Sequence, residues 1–191
     1  MSKKIDIISL YLGNYARCIA GREIARLIKL NHQTALNHLN ELVKEKVLGY
    51  VVKGRNKEYS INLSSPKTKI LIEIAESFKA MESLSNKELG VIIKEVIPFA
   101  ESIILFGSFA AGNYNKNSDI DLVLVGKSNK ERIDSIKKRY SREINIEYVS
   151  YSDFVKSLKE KNSLAVEILK NHIIYGNVSP IIRIFLKEHT K

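Results

Sequence analysis

Several things are scarce in this 191-residue chain, and each scarcity closes off a class of protein. With Cys18 as the one cysteine, no internal disulfide can form, which excludes a disulfide-stapled scaffold. Four histidines, none at metal-ligand spacing with another, leave no zinc module. Three prolines and nine glycines are too few for a collagen or a low-complexity tail, while 45% hydrophobic residues are enough to build a core. No apolar run approaches the roughly 18 residues that cross a membrane. The start, Met1-Ser2-Lys3-Lys4-Ile5-Asp6, has no signal-peptide core. The expectation is a soluble cytoplasmic protein with one medium domain or two small ones.

Positive charge, by contrast, is plentiful. Thirty-one Lys and Arg against twenty-one Asp and Glu give a formal +10 and a pI near 9.5, which favours phosphate-bearing partners or an anionic surface. The excess is uneven: residues 1–66 hold eleven basic and five acidic side chains, and residues 90–191 hold sixteen and twelve.

The first 64 residues read as three short helices and a hairpin. Ile5, Ile8 and Leu12 share a helical face that stops at Gly13-Asn14, and Ile24, Leu27 and Ile28 share another. Asn31 is placed to cap a third helix over about Gln33 to Lys46, with Leu36, Leu39, Leu42 and Val43 on its core side. The period then changes to alternation over Leu48–Lys53 and Lys57–Leu63, around a basic turn at Gly54-Arg55-Asn56. This order, anchored on Leu39, Leu42 and Val47-Leu48-Gly49-Tyr50, resembles a winged helix-turn-helix domain. The resemblance implies double-stranded DNA as partner, with His32, Gln33, Thr34, Asn37 and His38 toward base edges and Lys53, Arg55 and Lys57 toward phosphates. A solvated helix face and a charged turn are the alternative for the same residues, and the fold also serves protein contacts.

Residues 65–89 read as a linker. Ser65-Pro66 starts a long helix to about Ser83, whose stripe of Ile70, Leu71, Ile74, Ala75, Phe78 and Met81 fits a core face or, alternatively, a homodimer seam. Ser85-Asn86-Lys87-Glu88 then opens a helix with Leu89, Ile92, Ile93 and Val96 inward, ending at Pro98.

The chemistry concentrates after Ile103. A strand, Ile103-Ile104-Leu105-Phe106, runs into Gly107-Ser108, and a second strand begins at Asp119-Ile120-Asp121. Acids one residue apart on a strand point to one face and repel each other unless a cation lies between them; Mg²⁺ takes such oxygen ligands and bridges substrate phosphates. Gly107 lets backbone approach a phosphate, and Ser108 adds a hydroxyl and an N–H. Those parts suit phosphoryl or nucleotidyl transfer. Gly107-Ser108-Phe109-Ala110-Ala111-Gly112 followed by Ser118-Asp119-Ile120-Asp121-Leu122 resembles the DNA polymerase β-type nucleotidyltransferase superfamily, and most of all its minimal, antitoxin-like branch.

The resemblance implies that Gly107 and Ser108 hold a triphosphate, and that Asp119 and Asp121 bind two Mg²⁺ ions. It also implies a third catalytic and metal-binding carboxylate on a neighbouring strand. Glu147, in Ile144-Asn145-Ile146-Glu147-Tyr148-Val149, is the candidate, with Asn145 facing the metals in the alternative register. Many relatives carry an Arg where this chain has Ala111; Lys116 is the candidate substitute, supplying charge without a bidentate fork. Cys18 and His172 are expected to be packed residues, and Tyr151 has no evident partner.

The fold class expected is α/β (α+β): an N-terminal winged helix-turn-helix over 1–64, a linker helix over 65–89, and a minimal nucleotidyltransferase domain over 90–191 with a small mixed sheet flanked by helices. The leading function is transfer of a nucleoside monophosphate from an NTP, with ATP as first candidate, to a hydroxyl acceptor. The alternatives are a transcription regulator whose nucleotidyltransferase fold only senses nucleotide or dimerises, and an antitoxin acting on a separate toxin.

Overall fold

The computed structural model describes residues 2–189. The chain forms two compact units that divide between Ala75 and Glu76.

In the first unit, α1 (Lys3–Ser9) is followed by a two-residue strand β1 (Ile19–Ala20), α2 (Gly21–Leu27) and α3 (His32–Lys44). A hairpin of β2 (Leu48–Lys53) and β3 (Asn56–Ile61) completes a three-stranded antiparallel sheet in the order β1-β3-β2. The Asn31 side chain accepts from the Thr34 N–H at 2.8 Å, the N-cap that the sequence indicates for α3. Lys29 and Lys46, both with positive φ, follow α2 and α3 closely and help turn the chain out of each helix. The core is aliphatic and tyrosine-rich: Ile7, Ile8, Ile24, Leu39 and Leu42 are fully buried with Tyr11, whose hydroxyl donates to the Tyr59 carbonyl at 2.9 Å. Leu27, expected inward, is 39% exposed; Gly21, Ile24, Ala25 and Ile28 form the buried i, i+3, i+4, i+7 stripe, and Leu27 falls beside it.

Helix α4 (Pro66–Ser83) departs from its expected stripe. Thr68, Ile72, Ala75, Glu76 and Ala80 are its buried residues, while Ile70, Ile74 and Met81 are exposed. Two helical-period patterns overlap here, and polar groups with internal partners decide between them. The Thr68 hydroxyl donates to the Val47 carbonyl at 3.4 Å, and Glu76 Oε1 lies 3.1 Å from His172 Nε2. A buried Glu that is paired can occupy a core position that periodicity assigns to an apolar side chain.

The second unit is built on a mixed four-stranded sheet in the order β6-β5-β4-β7, formed by β4 (Ala100–Phe106), β5 (Ile120–Ser128), β6 (Ile144–Val149) and β7 (Ile173–Gly176). The β4 strand pairs antiparallel with β5 and β7, and β5 pairs parallel with β6. Alternation divides each strand between two faces. Ile103, Leu105, Leu122 and Leu124 share one face with Leu89, Ile92, Ile93 and Val96 of α5 (Lys87–Val96) and Ile133 and Ile136 of α7 (Lys130–Lys137). Ile104, Val123 and Val125 are also buried, and α8 (Tyr151–Glu160) and α9 (Ser163–Lys170) pack against β5 and β4. Helix α10 (Val178–His189) follows β7. His172 is packed as expected, with Nδ1 2.7 Å from the Ile168 carbonyl, whereas Cys18 is exposed. Tyr151 has a partner after all: its hydroxyl lies 3.1 Å from Ser102 Oγ.

Candidate active site

The site is assembled where β4 ends and β5 begins. Phe106 pairs with Asp121, so the residue after Phe106 is brought against the Asp121 carboxylate. That residue is Gly107. It has φ 66°, and a Cβ on it would stand 2.5 Å from Asp121 Oδ2. Only glycine combines that backbone with that approach. The chain then makes the short helix α6 (Gly107–Ala111), which carries Ser108 and ends at Gly112 with φ 74°. Phe109 anchors α6 in the core, while Ser108 stays half-buried.

Asp119 precedes β5 by one residue, and Asp121 is its second residue; both are half-buried. The segment before Asp119 is held by Arg142. Its guanidinium donates to the Ser118 carbonyl and, through Nε, to Glu88 Oε1 at 2.8 Å, and it lies 5.4 Å from the centre of the Phe109 ring. Glu88 chiefly, with a smaller contribution from the Asp119 charge, raises the Arg142 pKa above its ordinary value. Within the same loop the Asn115 N–H donates to Ser118 Oγ at 2.8 Å.

Parallel pairing of β5 with β6 sets the third position. Asp121 is level with Asn145, and Asn145 Nδ2 donates to Asp121 Oδ1 at 3.0 Å. Glu147 lies two residues along, level with Val123, and is exposed. Among the described residues no three His, Cys, Asp or Glu side chains stand close enough together to hold a metal ion. The Asp121 carboxylate beside the Asn145 amide, with Asp119 two residues before it, offers hard oxygen ligands, and the missing Cβ at Gly107 leaves Asp121 Oδ2 uncovered on that side. That chemistry fits Mg²⁺ better than a soft metal. Lys116 is exposed in the loop and has no ion-pair partner among the described residues.

Arg142 and Asn145 are the two site residues that sequence reasoning passed over or set second. Arg142, between Ser141 and Glu143, has no motif to mark it. Asn145 shares a strand face with Glu147, and only the register of β6 against β5 decides which of the two stands beside Asp121.

In the first unit, the candidates do not share one face. Gln33 and Asn37 lie on the exposed side of α3 and bond to each other, Nε2 to Oδ1, at 3.3 Å. Thr34 and His38 are half-buried on one flank, and His32 lies on the other with Leu36 and Asn40. On the hairpin, Lys53 Nζ pairs with Glu58 Oε2 at 2.7 Å, which raises its pKa; Lys57 Nζ stands 4.3 Å over the Tyr50 ring. Arg55 has no ion-pair partner among the described residues.

Residues 87–190 match the family described as "Nucleotidyltransferase domain". A Methanocaldococcus jannaschii protein, provisionally named a protein adenylyltransferase, is 31% identical over 107 residues, covering 51% of this chain and 98% of its own length. A crystal structure of a provisionally assigned nucleotidyltransferase from Sulfolobus solfataricus covers 51% of this chain and 86% of its own, at 22% identity and a TM-score of 0.28. The segment matched to the family takes in more than half of the sequence and the whole strand-end arrangement around Gly107, Asp119 and Asp121, and the chain accordingly belongs to the nucleotidyltransferase domain family.

Proposed function

We propose that the second unit transfers a nucleoside monophosphate from an NTP, with ATP as the first candidate, to a hydroxyl group, and that the first unit is a winged helix-turn-helix that binds duplex DNA. The observation that carries the catalytic reading is the seating of Gly107 against Asp121, two residues from Asp119, at the joined ends of two paired strands. In this reading the acceptor oxygen bonds to the α-phosphorus, the bond to the bridging oxygen breaks, and pyrophosphate leaves with the electron pair. Gly107 and Ser108 receive the triphosphate, with Lys116 as an added charge. Asp119 and Asp121 would hold Mg²⁺, which when bound would supply positive charge to the phosphates and to the attacking hydroxyl. Asn145 holds the Asp121 carboxylate through its 3.0 Å bond, and Glu147, two residues further along β6, takes the hydroxyl proton in this reading. A protein hydroxyl is the acceptor class to test first, given the name of the Methanocaldococcus relative.

One observation favours a second reading. An amide, not an acid, contacts Asp121, and an amide takes no proton. A unit that binds nucleotide without turning it over would answer to that arrangement. Incubation of the chain with α-labelled ATP, Mg²⁺ and candidate protein acceptors separates the two. Transfer is expected with the unaltered chain and is expected to fall to background in Asp119→Asn and Asp121→Asn. Equal label in all three, with nucleotide still bound, overturns catalysis and leaves sensing.

A further inference from the structure

A recess of about 300 Å³ opens in the first unit between the start of α2, one flank of α3 and the hairpin turn. Three cations edge it, Arg22, Arg55 and Lys57, and no acidic residue lines it. Neither Arg22 nor Arg55 has an ion-pair partner among the described residues, and Lys57 rests over the Tyr50 ring. Like charges held around one small space repel each other, and an anion relieves that repulsion.

The walls carry a second signal. Leu36 and the buried Tyr59 supply apolar surface between the cations, and the Tyr59 hydroxyl has no hydrogen-bond partner among the described residues. His32 and Asn40, which lie on the same flank of α3 as Leu36, add polar groups that can meet a sugar or a phosphate oxygen. The volume is at the small end of ligand cavities, where a compact molecule with a few convergent polar groups is held. A duplex, being a wide rod, touches the outer ends of Arg55 and Lys57 but does not enter such a recess.

We propose that this recess is a second nucleotide site, which takes a nucleoside phosphate with its phosphate among Arg22, Arg55 and Lys57 and its flat ring toward Leu36 and Tyr59. Arg55 and Lys57 are also the residues proposed to meet duplex phosphates, so an occupied recess and a bound duplex compete for the same charges.

The test is calorimetric titration of the full chain with adenosine monophosphate in EDTA, which removes metal-dependent binding at the strand-end site and so keeps a failure of the catalytic reading separate. One saturable site is expected. Arg22→Ala and Arg55→Ala are each expected to weaken it roughly tenfold, the size of one lost charge-assisted bond. Inorganic phosphate is expected to displace the nucleotide, and the exposed Arg132→Ala to leave binding unchanged, with circular dichroism confirming that each variant is folded. Absence of saturable binding, binding indifferent to both arginine variants, or duplex binding through Arg55 with no mononucleotide binding would each overturn the proposal.

Discussion

At Gly107 a missing carbon atom decides whether the strand end stays open. Alanine there meets two penalties: a positive φ of 66°, and a Cβ 2.5 Å from Asp121 Oδ2. Gly112 isolates the first penalty, since it has φ 74° and nothing within 4 Å of a Cβ. Urea unfolding is expected to show Gly112→Ala losing about 1 kcal/mol and Gly107→Ala about 2 to 3 kcal/mol, with nucleotidyl transfer lost only in the latter. A second residue-scale expectation concerns alkali. Burial pushes the Tyr175 phenol up to about 12, against a partly opposing hydrogen bond with Ser83 at 2.7 Å. Between pH 10 and about 12 the unfolded phenol has lost its proton and the folded one keeps it, so the folded state binds more protons and stability falls as pH rises. The loss across that window is about 2 to 3 kcal/mol. Tyr175→Phe is expected to be less stable at neutral pH by about 1 kcal/mol and to decline less steeply over that window, by the Tyr175 share alone, since burial raises Tyr11 and Tyr148 as well; unfolding free energy against pH measures it.

Elements set what those residues can do. The loop between α6 and β5 has no regular structure of its own, and Arg142, beyond the end of α7, ties it down through the Ser118 carbonyl while Glu88 of α5 holds the guanidinium in place. Arg142→Ala is expected to lower nucleotidyl transfer by raising the KM for NTP, and to speed amide exchange over residues 115–119. Arg142→Lys is expected to restore little, because a point charge cannot bridge Glu88 and Ser118 as a planar fork does. Exchange and KM both unchanged in Arg142→Ala would show that the loop holds without it. Periodicity made the elements legible where one face is simply apolar, as in α5, whose four inward residues are the ones the sequence indicates. It failed in α4, where Thr68 and Glu76 are buried through polar partners and the more hydrophobic Ile70, Ile74 and Met81 face outward. Polar burial is invisible to periodicity because the partners, Val47 and His172, are distant in sequence.

For the whole molecule, the uneven charge acquires a place in each unit. In the second unit Arg142 is paired with Glu88 beside the site and Arg139 with Glu95 at 2.7 Å, whereas Arg22 and Arg55 of the first unit have no ion-pair partner among the described residues. If the first unit binds duplex DNA as proposed, the slope of log affinity against log salt is expected to shrink by about 0.9 in Arg55→Ala. It should shrink less in Lys53→Ala, because Glu58 already holds that ammonium. A gel-shift series over salt concentration measures both, and equal slopes in all three chains would remove Arg55 from the contact. Local sequence alone specifies the strand-end motif, the cap at Asn31 and the hairpin, because each rests on residues close together in the chain. Tertiary structure alone decided that Asn145 meets Asp121, that Arg142 secures Ser118, and that Arg22 joins Arg55 and Lys57 around one recess. Those are contacts between segments far apart in the chain, fixed by strand register and packing, and no local pattern of residues encodes them.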